Sequence, residues 1–275
     1  MFWTSMTNDE YAAFQQTNGI KTHKINDSWW AEVKPYFFRP LLPWKVIKPG
    51  SVTYPSKSII GGIQHAVPAE SSFNSRLNMF FLDDLQNYSL DGVCKKRRYK
   101  IKKGMSNFTI NQITDCSYFK EHAYHIYIDF YSRTHYGYKK ERVQQTRFNA
   151  WADTLFQNPK LLILGAWHQE QLCAVNTSFM VEDVIIGASY FTTTSSLSLG
   201  VSDYIMHFIR EAAAKSTATR IFYGWATGER GLDDYKRALG CELVQLPAWY
   251  QINPAVVFLT KLSKKYNMNK ILGVL

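Results

Sequence analysis

The sequence predicts an α/β (α+β) protein built on a mixed, mostly antiparallel sheet with helices on both faces, preceded by a smaller half. Two observations carry the sheet. Three apolar runs at 161–166, 172–180 and 184–192 are joined by tight polar turns at 168–171 and 182–183, the pattern of consecutive antiparallel strands. After them Ile205, Phe208, Ile209 and Ala212 recur at helical spacing, and an apolar strand follows at 220–225. A helix between two strands that lie parallel is a βαβ crossover.

In chain order, the first ninety residues read as short strands at 29–33, 44–47, 58–63 and 78–82. Pro35, Pro40, Pro43, Pro49 and Pro55 punctuate them, and proline confines such runs to short strands and turns. From residue 90, Leu90, Val93, Cys94, Ile101 and Met105 recur at helical spacing within a basic run, with Gly104 as the expected stop. A strand at 108–110 and helices at 117–132 and 139–156 come next, parted by a turn at 134–137 and closed by Pro159. The strands above, a Ser/Thr-rich loop at 192–200, a helix at 202–215, a strand at 220–225, a helix at 232–239 and strands over 242–259 complete the pass.

At 275 residues the chain suits one large domain or two small ones and can bury a core without disulfides. Hydrophobic residues at 46% and charged residues at 20% exclude a disordered class. Cys94, Cys116, Cys173 and Cys241 stand no closer than 116 − 94 = 22 positions, which excludes a CxxC zinc or redox pair and fits reduced thiols. The opening MFWTSMTNDEY has no basic, then apolar, leader pattern, and no apolar run approaches the ~20 residues of a membrane-spanning helix. A cytoplasmic location is the expectation. Lys and Arg exceed Asp and Glu by 32 − 22 = 10, so an anionic partner is expected.

Four places could carry chemistry. The junction FTTTSSLSLGVSD sets Ser195, Ser196, Ser198, Gly200 and Ser202 at a helix start. Unpaired N–H groups and small residues there suit a phosphate, and a serine that merely caps the helix is the alternative. The segment 95–103 holds seven Lys/Arg in nine positions, either a solvated face or a seat for phosphates or an acidic partner. His122, His125 and Asp129 share one helical face, a minimal metal set that reads better as ordinary helix residues, so no metal is expected. Finally GLDDYKRALGCE places Lys236 on a short helix ending at Gly240, with a surface lysine and a helix-ending glycine as the plain reading.

On these residues the sequence resembles the GNAT-fold acyltransferases, and their Fem-like branch in particular, which includes the peptidoglycan aminoacyltransferases. The likeness rests on the basic helix CKKRRYKIKKGMSNFTINQI, on the strands LLILGAWHQEQLCAVNTSFMVEDVIIGASYF, and on Tyr235-Lys236 followed by Leu239-Gly240. It spans about residues 90–260. The resemblance implies a degenerate N-terminal GNAT-like half at 1–104, ending in the basic helix, and an acyltransferase half at 105–275. It implies transfer of an acyl group from an acyl-CoA, an acyl carrier protein or an aminoacyl-tRNA to an amine, with the donor a cosubstrate and no cofactor bound permanently. Lys236 then serves the donor's phosphate or the developing oxyanion, Tyr190 or Tyr223 relays a proton, and Ser195, Ser196, Ser198, Gly200 and Ser202 contact the donor. The GNAT pyrophosphate loop is absent; SSLSLGVSD with its single glycine stands in its place. A non-catalytic module that holds RNA or an anionic surface through 95–103 is the alternative reading.

Overall fold

The computed structural model describes residues 3–135, 139–228 and 230–257. They form two compact units, one from the residues up to Met6 with Leu82–Phe222, the other from Thr7–Phe81 with Tyr223 onward.

The first unit holds the antiparallel strands expected from the sequence. Numbered in chain order, β1 is Ser5–Met6, β7 Thr109–Gln112, β8 Leu162–His168, β9 Gln171–Val181, β10 Val184–Thr192 and β11 Arg220–Trp225, whose last three residues belong to the second unit. β7 pairs β8, β8 pairs β9 and β9 pairs β10, all antiparallel; β1 adds to β9 in parallel, with Met6 opposite Val181. The helices are α2 (Lys95–Asn107), α3 (Cys116–Thr134), α4 (Gln145–Phe156) and α5 (Val201–Ala214). Asp115 starts α3 by accepting from the N–H groups of Ser117 (2.7 Å) and Tyr118 (3.3 Å), which satisfies helix-end donors. α5 connects β10 to β11, and these strands run parallel, so the crossover is present.

The second unit contains α1 (Asn8–Thr17), β2 (Thr22–Ile25), β3 (Ser28–Lys34), β4 (Phe37–Pro40), β5 (Gly62–Ala66), β6 (Ser75–Leu82, whose last residue falls in the first unit), α6 (Arg230–Ala238) and β12 (Glu242–Ile252). Thr7 and Glu10 form a reciprocal capping box at the start of α1. β12 lies between β5 and β6, antiparallel to both. Trp30, Phe38, Ile47 and Ile63 form a buried cluster on this sheet.

Several sequence boundaries move. Residues 44–47 are not a strand: Val46 makes one isolated parallel bridge to Ala66 while Ile47 fills the core, because the flanking prolines bar a continuing ladder. The run 58–63 is a 3-10 turn at Ser56–Ile59 followed by β5, and Ile59 and Ile60 face solvent at 79% and 53% exposure. The stretch 139–156 splits into a 3-10 turn, Lys140–Val143, and α4. Gly104 does not end α2, which continues to Asn107, so position 104 falls inside a helix of the first unit. Of the turn at 134–137, residues 136 and 137 lie outside the described residues, as does Leu259; β12 stops at Ile252.

The abundant aromatic rings pack together. Phe119 stacks on Phe148 at 5.7 Å, Trp151 meets Phe148 edge-on at 5.4 Å, and Tyr127 meets Phe191 edge-on at 5.5 Å. Rings from α3 and α4 thus fill the space over β10. Among the described residues no helix is long and apolar enough to cross a membrane.

Candidate functional site

β10 and β11 stay in register for only three residues, Val184–Ile186 against Arg220–Phe222, although β10 runs on to Thr192. A β-bulge between Gly187 and Ser189 shifts β10 against β9 at the same place. Gly187 and Ala188 are exposed, and Ser189 and Tyr190 are half-buried, so this stretch of β10 presents an open edge. A parted strand pair leading to a helix start is a usual ligand position in an α/β sheet.

The loop after β10 is anchored from α3. The carboxylate of Asp129 accepts from both the backbone N–H (2.7 Å) and the hydroxyl (2.6 Å) of Thr194. Those two hydrogen bonds hold the Asp129 carboxyl below its usual titration range. One turn on, Arg133 donates to Thr194 Oγ1 at 2.8 Å and to the Thr192 carbonyl at 3.3 Å. Asp129 is therefore a loop anchor. Among the described residues there is no cluster of His, Cys, Asp and Glu that could hold a metal, and His122 and His125 are exposed.

Of the five loop residues singled out in the sequence, Ser195 and Ser198 are exposed on a 3-10 turn, Ser195–Leu199. Ser196 is buried and its hydroxyl pairs with Thr193 Oγ1 at 2.7 Å. Ser202 accepts from the hydroxyl of Tyr190 at 2.7 Å. Burial raises the Tyr190 pKa well above the ordinary phenol value, so the group stays protonated. Gly200 precedes α5 in the left-handed region at φ +87° and is buried against α2: a Cβ there would collide with the Lys100 carbonyl and stand 3.1 Å from the nitrogen of Gly104. Beside it Arg97 and Asp203 form an ion pair at 2.5 Å, largely shielded from water. The start of α5 is thus packed under α2 and already faces its own carboxylate.

α2 divides its cations. Arg97, Ile101 and Gly104 share the inward face. At about 100° per residue, Tyr99 falls opposite them with Lys95, Lys96, Lys102 and Lys103 around it. Tyr99 is 68% exposed, Lys95, Lys96 and Lys102 are exposed, and α2 carries no acid of its own. Sequence reasoning found the charge but not this division, which the spacing of Ile101 and Gly104 encodes.

In the second unit, Lys236 is buried on α6, where its ammonium donates to the Trp225 carbonyl at 2.8 Å and lies 5.0 Å from the centre of the Phe80 ring. Desolvation lowers its pKa, while nearby Asp233 acts to raise it. Asp233 in turn gathers the N–H groups of Thr227 and Gly228 and the Thr227 hydroxyl, at 3.0–3.1 Å, and so fixes the loop between β11 and α6. Tyr223, half-buried, lies two residues before Trp225 on β11. Each unit's residues stand as described within that unit.

No protein-family model and no curated protein matches the chain. Among solved structures it is similar to FemX, at TM-score 0.63 and 9% identity over 93% of each chain. It is also similar to the C-terminal domain of a putative lysylphosphatidylglycerol synthetase from Agrobacterium fabrum, at TM-score 0.61 and 10% identity, covering 96% of this chain and 93% of that one. A third similar structure is L-PGS from Bacillus licheniformis, at TM-score 0.55 and 12% identity over 94% and 92%. The fold is GNAT-like and Fem-like. It extends over the whole length of these neighbours, and the mixed, mostly antiparallel sheet read from the sequence is the sheet found.

Proposed function

We propose that this protein is an N-acyltransferase whose donor is an aminoacyl-tRNA and whose acceptor is an amine. The observation that carries the choice of donor is the seating of Gly200 and Asp203 under α2. A coenzyme A pyrophosphate would need the backbone at the start of α5, which α2 covers, and would meet the Asp203 carboxylate there. The outward lysines of α2 instead suit a run of phosphates spread over a surface, as RNA presents. The similarity to FemX and to proteins named for lysylphosphatidylglycerol synthesis favours the same reading.

In this reaction the acceptor nitrogen attacks the ester carbonyl of the donor. An N–C bond forms, the C–O bond to the ribose breaks, and the amine's proton ends on the departing ribose oxygen. Lys236 is assigned to the oxyanion that develops on the carbonyl: its ammonium is positioned and partly desolvated, which strengthens its effect on nascent charge. Tyr223 on the adjoining strand and Tyr190 are assigned to proton relay. Tyr190, held protonated and hydrogen-bonded to Ser202, suits a donor's role. Ser195 and Ser198, exposed on the anchored turn, and Ser202 remain assigned to donor contacts; Ser196 and Gly200 support them from behind. These donor-side elements, from β10 to α5, all fall within residues 105–275. No resident cofactor enters the scheme.

The test is transfer from labelled aminoacyl-tRNA to a panel of amines, run beside calorimetric titration with coenzyme A and acetyl-CoA. Transfer from the RNA-borne donor with no coenzyme A binding supports the reading. Micromolar coenzyme A binding without RNA-dependent transfer overturns it and restores the acyl-CoA donor.

A further inference from the structure

Asn176 sits in the middle of β9, directly across from Tyr190 on β10 and from Leu164 on β8. It is 3% exposed, and its Oδ1 is buried with no hydrogen-bond partner. Cross-strand partners share a face, so Asn176 and Tyr190 point to the same side of the sheet. That side is the α5 side, because the Tyr190 hydroxyl reaches Ser202, whereas Phe191 turns the other way to pack on Tyr127 of α3. Leu at this position would have filled the same space without stranding an acceptor. A buried, unsatisfied oxygen carries a desolvation penalty that native proteins rarely leave standing without a ligand or water to answer it.

The neighbouring positions leave room on that face. Ser178, two residues along β9, faces Gly187, which has no side chain to cover it, and the bulge follows immediately. Gly187 and Ala188 are exposed, so the trough beside Asn176 opens at the free edge of β10. An acceptor can only be satisfied by a donor. We infer that Asn176 is a specificity-determining residue whose Oδ1 accepts a hydrogen bond from an N–H or O–H carried by the transferred acyl group itself. The site then selects acyl groups bearing such a donor next to the carbonyl, aminoacyl or hydroxyacyl, over hydrocarbon acyl groups of the same size. This rests on the transferase reading above but not on the identity of the carrier.

The test compares two matched pairs of stable amide analogues by calorimetry: 3′-alanylamino- against 3′-propionylamino-adenosine, and alanyl- against propionyl-aminopantetheine. The wild-type protein is expected to bind the alanyl member about 10-fold more tightly or better, the scale of one buried unsatisfied acceptor. Asn176→Leu should lose that preference by weakening the alanyl analogue alone, while its melting temperature holds or rises. Asn176→Asp, which keeps an acceptor, should retain the preference. Equal binding of both members on whichever carrier binds overturns the role of Asn176 and leaves the transferase reading intact. Preference on pantetheine alone keeps Asn176 and removes the RNA donor; binding of neither pair overturns both. A large loss of stability in Asn176→Leu would make the amide a structural group and also overturn the inference.

Discussion

Gly104 and Gly200 meet backbone to backbone: a Cβ on Gly104 would lie 2.7 Å from the Gly200 oxygen and 2.5 Å from the Cβ of Tyr204. The contact brings α2 down on the start of α5. Neither obstacle is a flexible side-chain tip, so relief requires the two helices to separate. Gly104→Ala should therefore destabilise the protein by about 1–3 kcal/mol, despite the better helix propensity of alanine. Urea unfolding checks this, and an unchanged midpoint would mean that the helices part easily.

Replacing Lys236 separates catalysis from stability. Lys236→Met is expected to reduce turnover at least about 10-fold, or ~1.4 kcal/mol of transition-state stabilisation. Its pKa in the fold is below the ordinary 10.5 because burial disfavours the charge. Between that lowered value and 10.5 the unfolded chain binds more protons than the folded one, so this lysine makes stability rise with pH across the window. The difference between wild type and Lys236→Met, measured by urea unfolding from pH 8 to 10.5, should show that rise. A flat difference would place the ammonium in water.

Acid should act in two steps. Burial lowers the pKa of His65 and of His207, so below about pH 6.5 the unfolded chain takes up protons that both folded imidazoles resist, and stability falls as pH drops toward their lowered values. Asp129, held low by Thr194, adds stability that is present above 3.8 and is lost only as pH falls through its own lowered value. Gln at both histidines should flatten the curve between pH 7 and 5 and leave the later loss. Asp129→Asn should do the reverse.

The outward lysines of α2 make RNA affinity depend on salt. With four phosphates neutralised, the log–log slope contributed by Lys95, Lys96, Lys102 and Lys103 is about −3. Glutamine at all four should remove that part of the slope in a titration with a short RNA hairpin. Arg97→Gln should instead cost stability, because it leaves Asp203 buried without its ion-pair partner. A quadruple variant with unchanged slope would move the RNA elsewhere.

What the sequence disclosed follows from where the information is local. β10 was bounded at Val184 and Thr192 and α5 to within one residue at each end, since polar turns and a 3.6-residue apolar repeat are written into the segments themselves. Glycine is the opposite case. Gly104 had the look of a helix stop and Gly200 of a phosphate approach, yet both are small because another backbone passes close by, which no window of sequence displays. Asp129 and Arg133 lie four residues apart on one face of α3, but that they reach Thr194 is a fact of tertiary structure. Residues 44–47 failed as a strand for a related reason: an apolar run between prolines records burial, not pairing.

The position of β12 has a consequence for how the molecule is made. This strand, Glu242–Ile252, is the middle partner of β5 and β6, although they precede it by more than a hundred residues. During synthesis from the N-terminus, those two strands emerge early and must wait, each with one ladder of amides unanswered, until the final strand threads between them. Folding of this unit is therefore tied to the last stage of translation, and contacts so distant in sequence form slowly. A ribosome that stalls before codon 242 would release a chain with two open strand edges, the kind of species that chaperones must shield.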